Sequence, residues 1–277
     1  MSAAEAIGGW FRLLGSELRL VLGRRRNQAG LLVLAAIPVL IAVTLRLSGT
    51  REAHGPDFFS SITSNGFFVA LSALSVELTL FLPLAVAVLA GDAIAGEASQ
   101  GTLRYLLTVP VSRARLLAVK YTSLVIGALG GVFVVALAGV VAGGLAFGLG
   151  PMTTLSGTQL GMGPAVLRLL VAVLYISAGL AALAAIGLFI STLTEQPIVA
   201  MVATTAVATL MWIMDAIPQL DFLHPWLLVH NWTAFGDLFR DPVFGDQMVT
   251  GLWLALGYTV VFLGAAYASF LRRDITS

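Results

Sequence analysis

Cysteine is absent, which removes a disulfide framework, a thiolate metal site and a cysteine nucleophile from consideration and leaves the redox compartment unread. Lysine occurs once, at Lys120, in the run Leu-Leu-Ala-Val-Lys-Tyr over 116–121. A P-loop needs a glycine-rich turn followed by Lys and Ser/Thr to cradle phosphates, so the chain lacks a Walker A motif. Motifs of intramembrane enzymes are missing too: there is no His-Glu-x-x-His, no paired acidic motif of the phosphatidyltransferase type, and no Gly-x-Ser-x-Gly followed by a suitable His. No catalytic residue is expected in this chain. Charge is scarce, at 10% of residues with a net of +1, and no nucleic-acid partner is expected.

What is abundant is apolar surface, at 58% of residues. The charges crowd into short segments between apolar runs too long for core helices, so the solvent of this chain is mostly lipid. Six runs predict transmembrane helices at about 29–47, 67–90, 116–148, 165–193, 197–217 and 248–271, each able to cross roughly 30 Å of hydrocarbon at about 1.5 Å per residue. The third and fourth exceed the required length and predict tilt or a projecting turn. Lipid offers no partner to an unpaired amide, and the alternating pattern of an outer-membrane barrel is absent. The predicted class is an all-α integral membrane protein forming one transmembrane domain over 1–277.

Arg and Lys are retained on the cytoplasmic side, so their distribution orients the chain. Arg12, Arg19, Arg24, Arg25, Arg26, Arg104, Arg113, Arg115, Lys120, Arg272 and Arg273 share one face, against Arg46, Arg51, Arg168 and Arg240 on the other. Both termini and the segment 91–115 are predicted cytoplasmic, and 218–247 extracellular. Residues 1–26 lack a small-residue cleavage site after the apolar run and are read as retained. Within them Ile7, Trp10, Phe11, Leu14, Leu18, Val21 and Leu22 recur at helical spacing, opposite Glu5, Arg12, Glu17 and Arg19, as suits a helix lying in the membrane interface.

The segment 91–115 has internal punctuation that a plain tether would not need. Gly101 supplies a corner, Thr102 can cap a short helix over 103–109, Pro110 disfavours its continuation, and Ser112 can start the next span. A helix-break-helix of this kind offers Glu97, Arg104, Arg113 and Arg115 to a soluble partner while Leu103, Leu106 and Leu107 pack inward.

On those residues the chain resembles the membrane subunits of ABC-2 type transporters, of the bacterial type V exporter kind. The matching positions are Asp92, Gly96, Glu97, Gly101, Thr102, Leu103, Leu106, Leu107, Pro110, Arg113 and Lys120. The resemblance implies that Asp92, Glu97, Gly101, Thr102, Leu103, Arg104, Leu107, Pro110, Arg113 and Arg115 form a coupling helix seated on an ATPase. It implies two copies of that separate ATPase, which bind ATP and Mg, and a second permease subunit in the plasma membrane that makes a homodimer, the favoured arrangement, or a pseudo-symmetric heterodimer. The N-terminal helix is similar to the family's connecting helix. The run Pro218, His224-Pro225-Trp226, Asn231-Trp232 is similar to its short re-entrant or extracellular helices.

Glu77 stands in mid-span, where an ionisable group costs several kcal/mol without water, a partner or a proton. Two readings stay open: a pathway residue, with Phe81 and Met211 beside it, or a structural carboxyl hydrogen-bonded near Ser72, Ser75 or Thr79. Pro83 is expected to kink that span. On the outer segment Phe222, Leu223, Trp226 and Leu227 suit a hydrophobic exit gate. Asp221, His224 and His230 have metal-ligand chemistry, but their spacing does not demand an ion, and an interfacial aromatic belt is the preferred reading, with no metal assigned. The expected function is ATP-driven export of a hydrophobic or lipid-like substrate, a drug or lipid. A proton-coupled secondary transporter using Glu77 is the alternative, although the two halves show none of the internal repeats it predicts.

Overall fold

The computed structural model describes residues 3–47, 65–101 and 112–272. Helix α1 (Ala3–Gly23) is amphipathic and is followed, after Arg24 alone, by α2 (Arg25–Leu47). The corner is held by side chains that reach back to otherwise orphaned carbonyls: Asn27 donates to Val21 O (2.7 Å) and Gln28 to Leu22 O (3.0 Å).

The span expected at 67–90 is built from two helices, α3 (Gly66–Thr79) and α4 (Phe81–Gly91). Asn65 caps α3, its side chain accepting from Phe67 N at 3.0 Å. The two helices meet at Leu80, whose φ of −140° and ψ of −54° leave the helical region. Pro83 is the physical cause: it has no N–H for the Thr79 carbonyl, so the irregularity falls one turn before the proline itself. Regular bonding resumes with Leu84 N donating to Leu80 O at 2.9 Å.

Past Gly91 the chain does not become a loop. It runs on through a π turn, Asp92–Gly96, into a last helical turn, Glu97–Ser99, before Gly101 takes a left-handed φ of +68°. Helix α5 (Arg113–Phe147) starts from Ser112, whose hydroxyl accepts from Arg115 N at 3.3 Å. It ends at Gly148, also left-handed, with φ of +81°. A hairpin of β1 (Met152–Thr153) and β2 (Gln159–Leu160) leads to α6 (Met162–Leu193). Then come α7 (Pro197–Asp215), two 3-10 helices (Pro218–Trp226 and Trp232–Phe239) and α8 (Asp246–Arg272). Apart from that hairpin the described elements are helical, and the expected all-α membrane fold holds: among the described residues six stretches are long and apolar enough to cross a bilayer, the second of them Phe81–Ser99 rather than 67–90, with Gly66–Thr79 a shorter apolar helix before it.

Helix α6 is the axis of the bundle. Its hydrophobic window is 72% buried, against 17% for α2, α7 and α8, which leave apolar faces outward. Helix α8 packs along α6, α7 along α4, and α3 and α2 along α5. The α3–α5 seam is tight because it is made of small residues. A Cβ on Gly139 would stand 2.5 Å from Ala70 Cα, and one on Gly143 would stand 2.8 Å from Gly66 Cα. This glycine spacing therefore serves packing inside the chain.

One end of the bundle gathers α1, the ends of α4, α6 and α8 and the start of α5. The opposite end gathers Asn65, Gly148, the hairpin and the 3-10 helices. Arg46 and Arg168 lie at that distal end, donating to Leu145 O (3.4 Å) and to Leu238 O (2.9 Å).

Candidate functional site

At the arginine-rich end, three helices meet around one lysine. Lys120, on the first turns of α5, has a side chain only 3% exposed. Its ammonium donates to Glu17 of α1 at 2.8 Å and to Glu97 of the turn that ends span 2. An isolated buried ammonium would be prohibitive, so the two carboxylates are what allow lysine at this depth. Beside them Asp92 accepts from both Arg24 and Arg26. Three cations and three carboxylates thus close a neutral cluster around a crevice that Asn27 and Ser123 also line.

The π turn beneath that cluster is held by Ser191 of α6, itself fully buried. Its hydroxyl oxygen accepts from Ile94 N (3.2 Å) and Ala95 N (2.9 Å), and the hydroxyl donates to Gly91 O (3.0 Å). One side chain therefore satisfies the backbone groups that the wider turn displaces from the regular ladder.

Arg113 and Arg115 do not stand out as a free pair for a soluble partner. Arg113 donates to Phe270 O (2.7 Å) and Leu271 O (2.9 Å) at the last turn of α8, where carbonyls lack intrahelical donors, and its guanidinium lies 5.8 Å from the Phe270 ring centroid. Arg115 is half-buried against α1: a Cβ on Gly9 would stand 2.8 Å from its Nη2. Glu97 is likewise turned inward to Lys120. Of the other residues assigned to coupling, Asp92 and Gly101 are described above, while Thr102, Leu103, Arg104, Leu107 and Pro110 lie outside the described residues, as does the short helix expected over 103–109.

Glu77 is fully buried between helices, on the face that continues from Gly66, Ala70 and Ala73 toward α5. Among the described residues neither carboxylate oxygen has a hydrogen-bond partner. Of the hydroxyls expected to help, two are engaged elsewhere: Ser75 donates to Leu71 O (3.0 Å) and Thr79 to Ser75 O (3.3 Å). Phe81 and Met211 pack partly buried against the core. An unpaired buried polar group costs about 1–3 kcal/mol. Glu77→Met, of similar volume, is therefore expected to keep or raise thermal stability in detergent by up to that amount, and a marked fall in unfolding temperature would show that the carboxyl has a stabilising partner.

At the distal end Phe222 and Trp226 are 70% and 71% exposed, Leu223 is intermediate and Leu227 joins the core. The four do not form one patch: Leu227, Leu228 and Val229 anchor the segment, and Phe222 and Trp226 point away from it. Tyr175 donates to Asn231 O (2.5 Å) and Tyr258 to Trp226 O (2.8 Å), pinning the segment to α6 and α8. His230 Nδ1 lies 2.6 Å from Asp215 Oδ1, and His224 is 3.4 Å from Asp221.

Sequence reasoning missed Glu17 and Ser191 as site residues. Glu17 was visible only as one charge on the polar face of α1, and Ser191 only as a hydroxyl in an apolar span. A family model described as ABC-2 family transporter protein matches residues 23–214. No curated protein matches the chain.

Proposed function

Because this chain belongs to the ABC-2 family of transporter proteins, and is thus the multi-pass permease that partners an ABC ATPase, we propose that it is one half of a homodimeric exporter in the plasma membrane. Two separate ATPases supply ATP and Mg, and the arginine-rich end with both termini faces the cytoplasm. The observation that carries this reading is the interlock at Lys120. It binds the interfacial helix, the end of span 2 and the start of span 3 into one body, and the residues between the last two, 102–110, are those of the coupling motif. A nucleotide-driven movement applied to that loop reaches two spans at once, which a slack tether would not achieve.

The contact energy on the ATPase comes from Leu103 and Leu107, since exposed ion pairs such as Arg104 can make contribute only about 0–1 kcal/mol each. Asp92, Glu97, Arg113 and Arg115 act behind them by holding both ends of the loop rigid. Apolar side chains dominate α3, α4 and α7, whose only charged residues are Glu77 and Asp215, which favours a hydrophobic or lipid-like substrate, a drug or lipid, leaving past Phe222 and Trp226. In the test, the tagged chain is purified in mild detergent with the ATPases of its host, and ATP turnover is measured. A stoichiometric ATPase is expected with the wild type, and its loss with Leu107→Asp in a permease that still elutes normally. A chain that purifies alone and inert to ATP would overturn the proposal.

A proton-coupled carrier through Glu77 rests on that residue's burial without a partner. Its burial among the described residues of a single chain argues against it. Transport by Glu77→Met decides between the two, since a proton carrier would lose it.

A further inference from the structure

The distal end holds a cluster that the transport reading leaves unused. Asp215 closes α7, His224 lies in the first 3-10 helix, and His230 sits in the turn before the second. One ligand atom of each lies within 4.8 Å of those of the other two. Along the sequence Asp221 is the carboxylate nearest His224, and the spacing demands no ion; the fold instead gathers Asp215 with the two histidines, because the chain reverses straight after it. Ile217 N donates to Met214 O at 3.2 Å, and His230 N donates to Leu227 O at 3.1 Å. Buried Leu227, Leu228 and Val229 and the Tyr175 bond to Asn231 fix the far side. The backbone around the three side chains is therefore set by packing rather than by the side chains' own contacts.

We propose that Asp215, His224 and His230 bind a divalent transition-metal ion of the zinc type. Two imidazoles and one carboxylate form a donor set that such borderline cations take, with a fourth position left for water, whereas calcium and magnesium prefer oxygen donors throughout. The two imidazoles already lie side by side, with centroids 5.5 Å apart and planes 28° from parallel. The His230–Asp215 ion pair accounts for two of the three residues, and His224 is held beside them with Nε2 3.3 Å from Met214 O, a contact that ligation through Nε2 would replace. Asp221, with a carboxylate oxygen 3.4 Å from His224 Nδ1, supplies the orienting carboxylate commonly found behind a ligating histidine. Ligands at about 2.0–2.1 Å around a tetrahedral ion stand about 3.4 Å apart. The 2.6 Å His230–Asp215 pair would open slightly and the remaining distances close, shifts of about 1 Å that side-chain rotation can supply. The side chains are 18%, 13% and 39% exposed for Asp215, His224 and His230, so an ion can enter from water and still be largely enclosed. Bound there, it would staple the first 3-10 helix to the end of α7.

The test uses the full chain in detergent with a tag free of histidine, titrated with zinc against a chromophoric chelator. One ion per chain is expected, with a Kd of about 1 μM or tighter. His224→Gln and His230→Gln should each weaken it by about tenfold or more. His54→Gln, altering the one other histidine, should leave it unchanged. Hydrogen exchange over 214–232 supplies a readout independent of affinity: zinc should slow it in the wild type and not in His230→Gln, whose partly exposed side chain can be replaced without disturbing the fold. Absence of saturable zinc binding, or binding that survives both histidine variants, would overturn the proposal and leave an ordinary Asp–His ion pair.

Discussion

Lys120→Met is expected to destabilise the protein by about 3–5 kcal/mol, the cost of breaking a buried pair from one side. Methionine keeps the length and the apolar stem of lysine, so packing is nearly conserved and the loss is electrostatic. Glu17 and Glu97, with side chains 15% and 14% exposed, would be left facing each other without their shared cation. Chemical denaturation in detergent should show the fall, and the triple variant Glu17→Gln, Glu97→Gln, Lys120→Met should recover most of it. That recovery is the decisive part. Buried ion pairs often add little net stability over neutral groups of similar shape, so the single variant measures the stranded charges and the triple variant measures the cluster itself. A Lys120→Met protein as stable as the wild type would mean that water already screens the two carboxylates. Because of the same cluster, Glu97→Arg is a poor probe of the coupling motif. A second cation beside Lys120 would disturb folding as well as coupling, so coupling is better tested at Leu107.

Gly143→Leu is the second large effect, expected to cost about 3 kcal/mol or more and to spread the elution profile. Overpacking in a core typically costs 1–3 kcal/mol when neighbouring side chains can shift. Here the obstacle is backbone: a Cβ at Gly143 would meet Gly66 Cα at 2.8 Å and its carbonyl carbon at 2.9 Å. Two helices would have to part, and in lipid no hydrophobic driving force between them makes up for lost van der Waals contact. Gly130 on the same helix is the control, since nothing lies within 4 Å of its Cβ position. Gly130→Leu should fold normally. Equal damage at both positions would show that helix propensity or insertion, rather than the α3–α5 seam, is what glycine provides on α5.

The membrane class and the six spans could be read from hydropathy because lipid imposes a length and forbids unpaired backbone, constraints that act on each segment alone. Local signals at span ends were equally legible: Ser112 does cap α5, and Gly101 does take a left-handed turn. What could not be read were partners far apart in sequence. Arg113 looks like a free cation beside a loop, and only the packing of α8 reveals that its role is to satisfy carbonyls at Phe270 and Leu271, 157 and 158 positions away. Ser191 gives no local sign that it will hold Gly91, Ile94 and Ala95. The proline at 83 announced a disturbance, but its site, Leu80, follows from which carbonyl loses its donor. Asp215 gives no local sign that it will meet His224 and His230, because proximity along a chain is a poor guide once the chain turns back on itself. The charges at the arginine-rich end were read for topology, a statistical property, and that reading says nothing about which cation meets which carboxylate.

The π turn at Asp92–Gly96 acts as a phase shift. An α-helix advances about 100° per residue, so one additional residue in a turn rotates everything downstream by about that angle relative to an uninterrupted helix. Glu97 faces Lys120 because of that offset. The azimuth at which span 2 ends is thus set at Asp92–Gly96, where a serine on the most buried helix holds the extra residue in place.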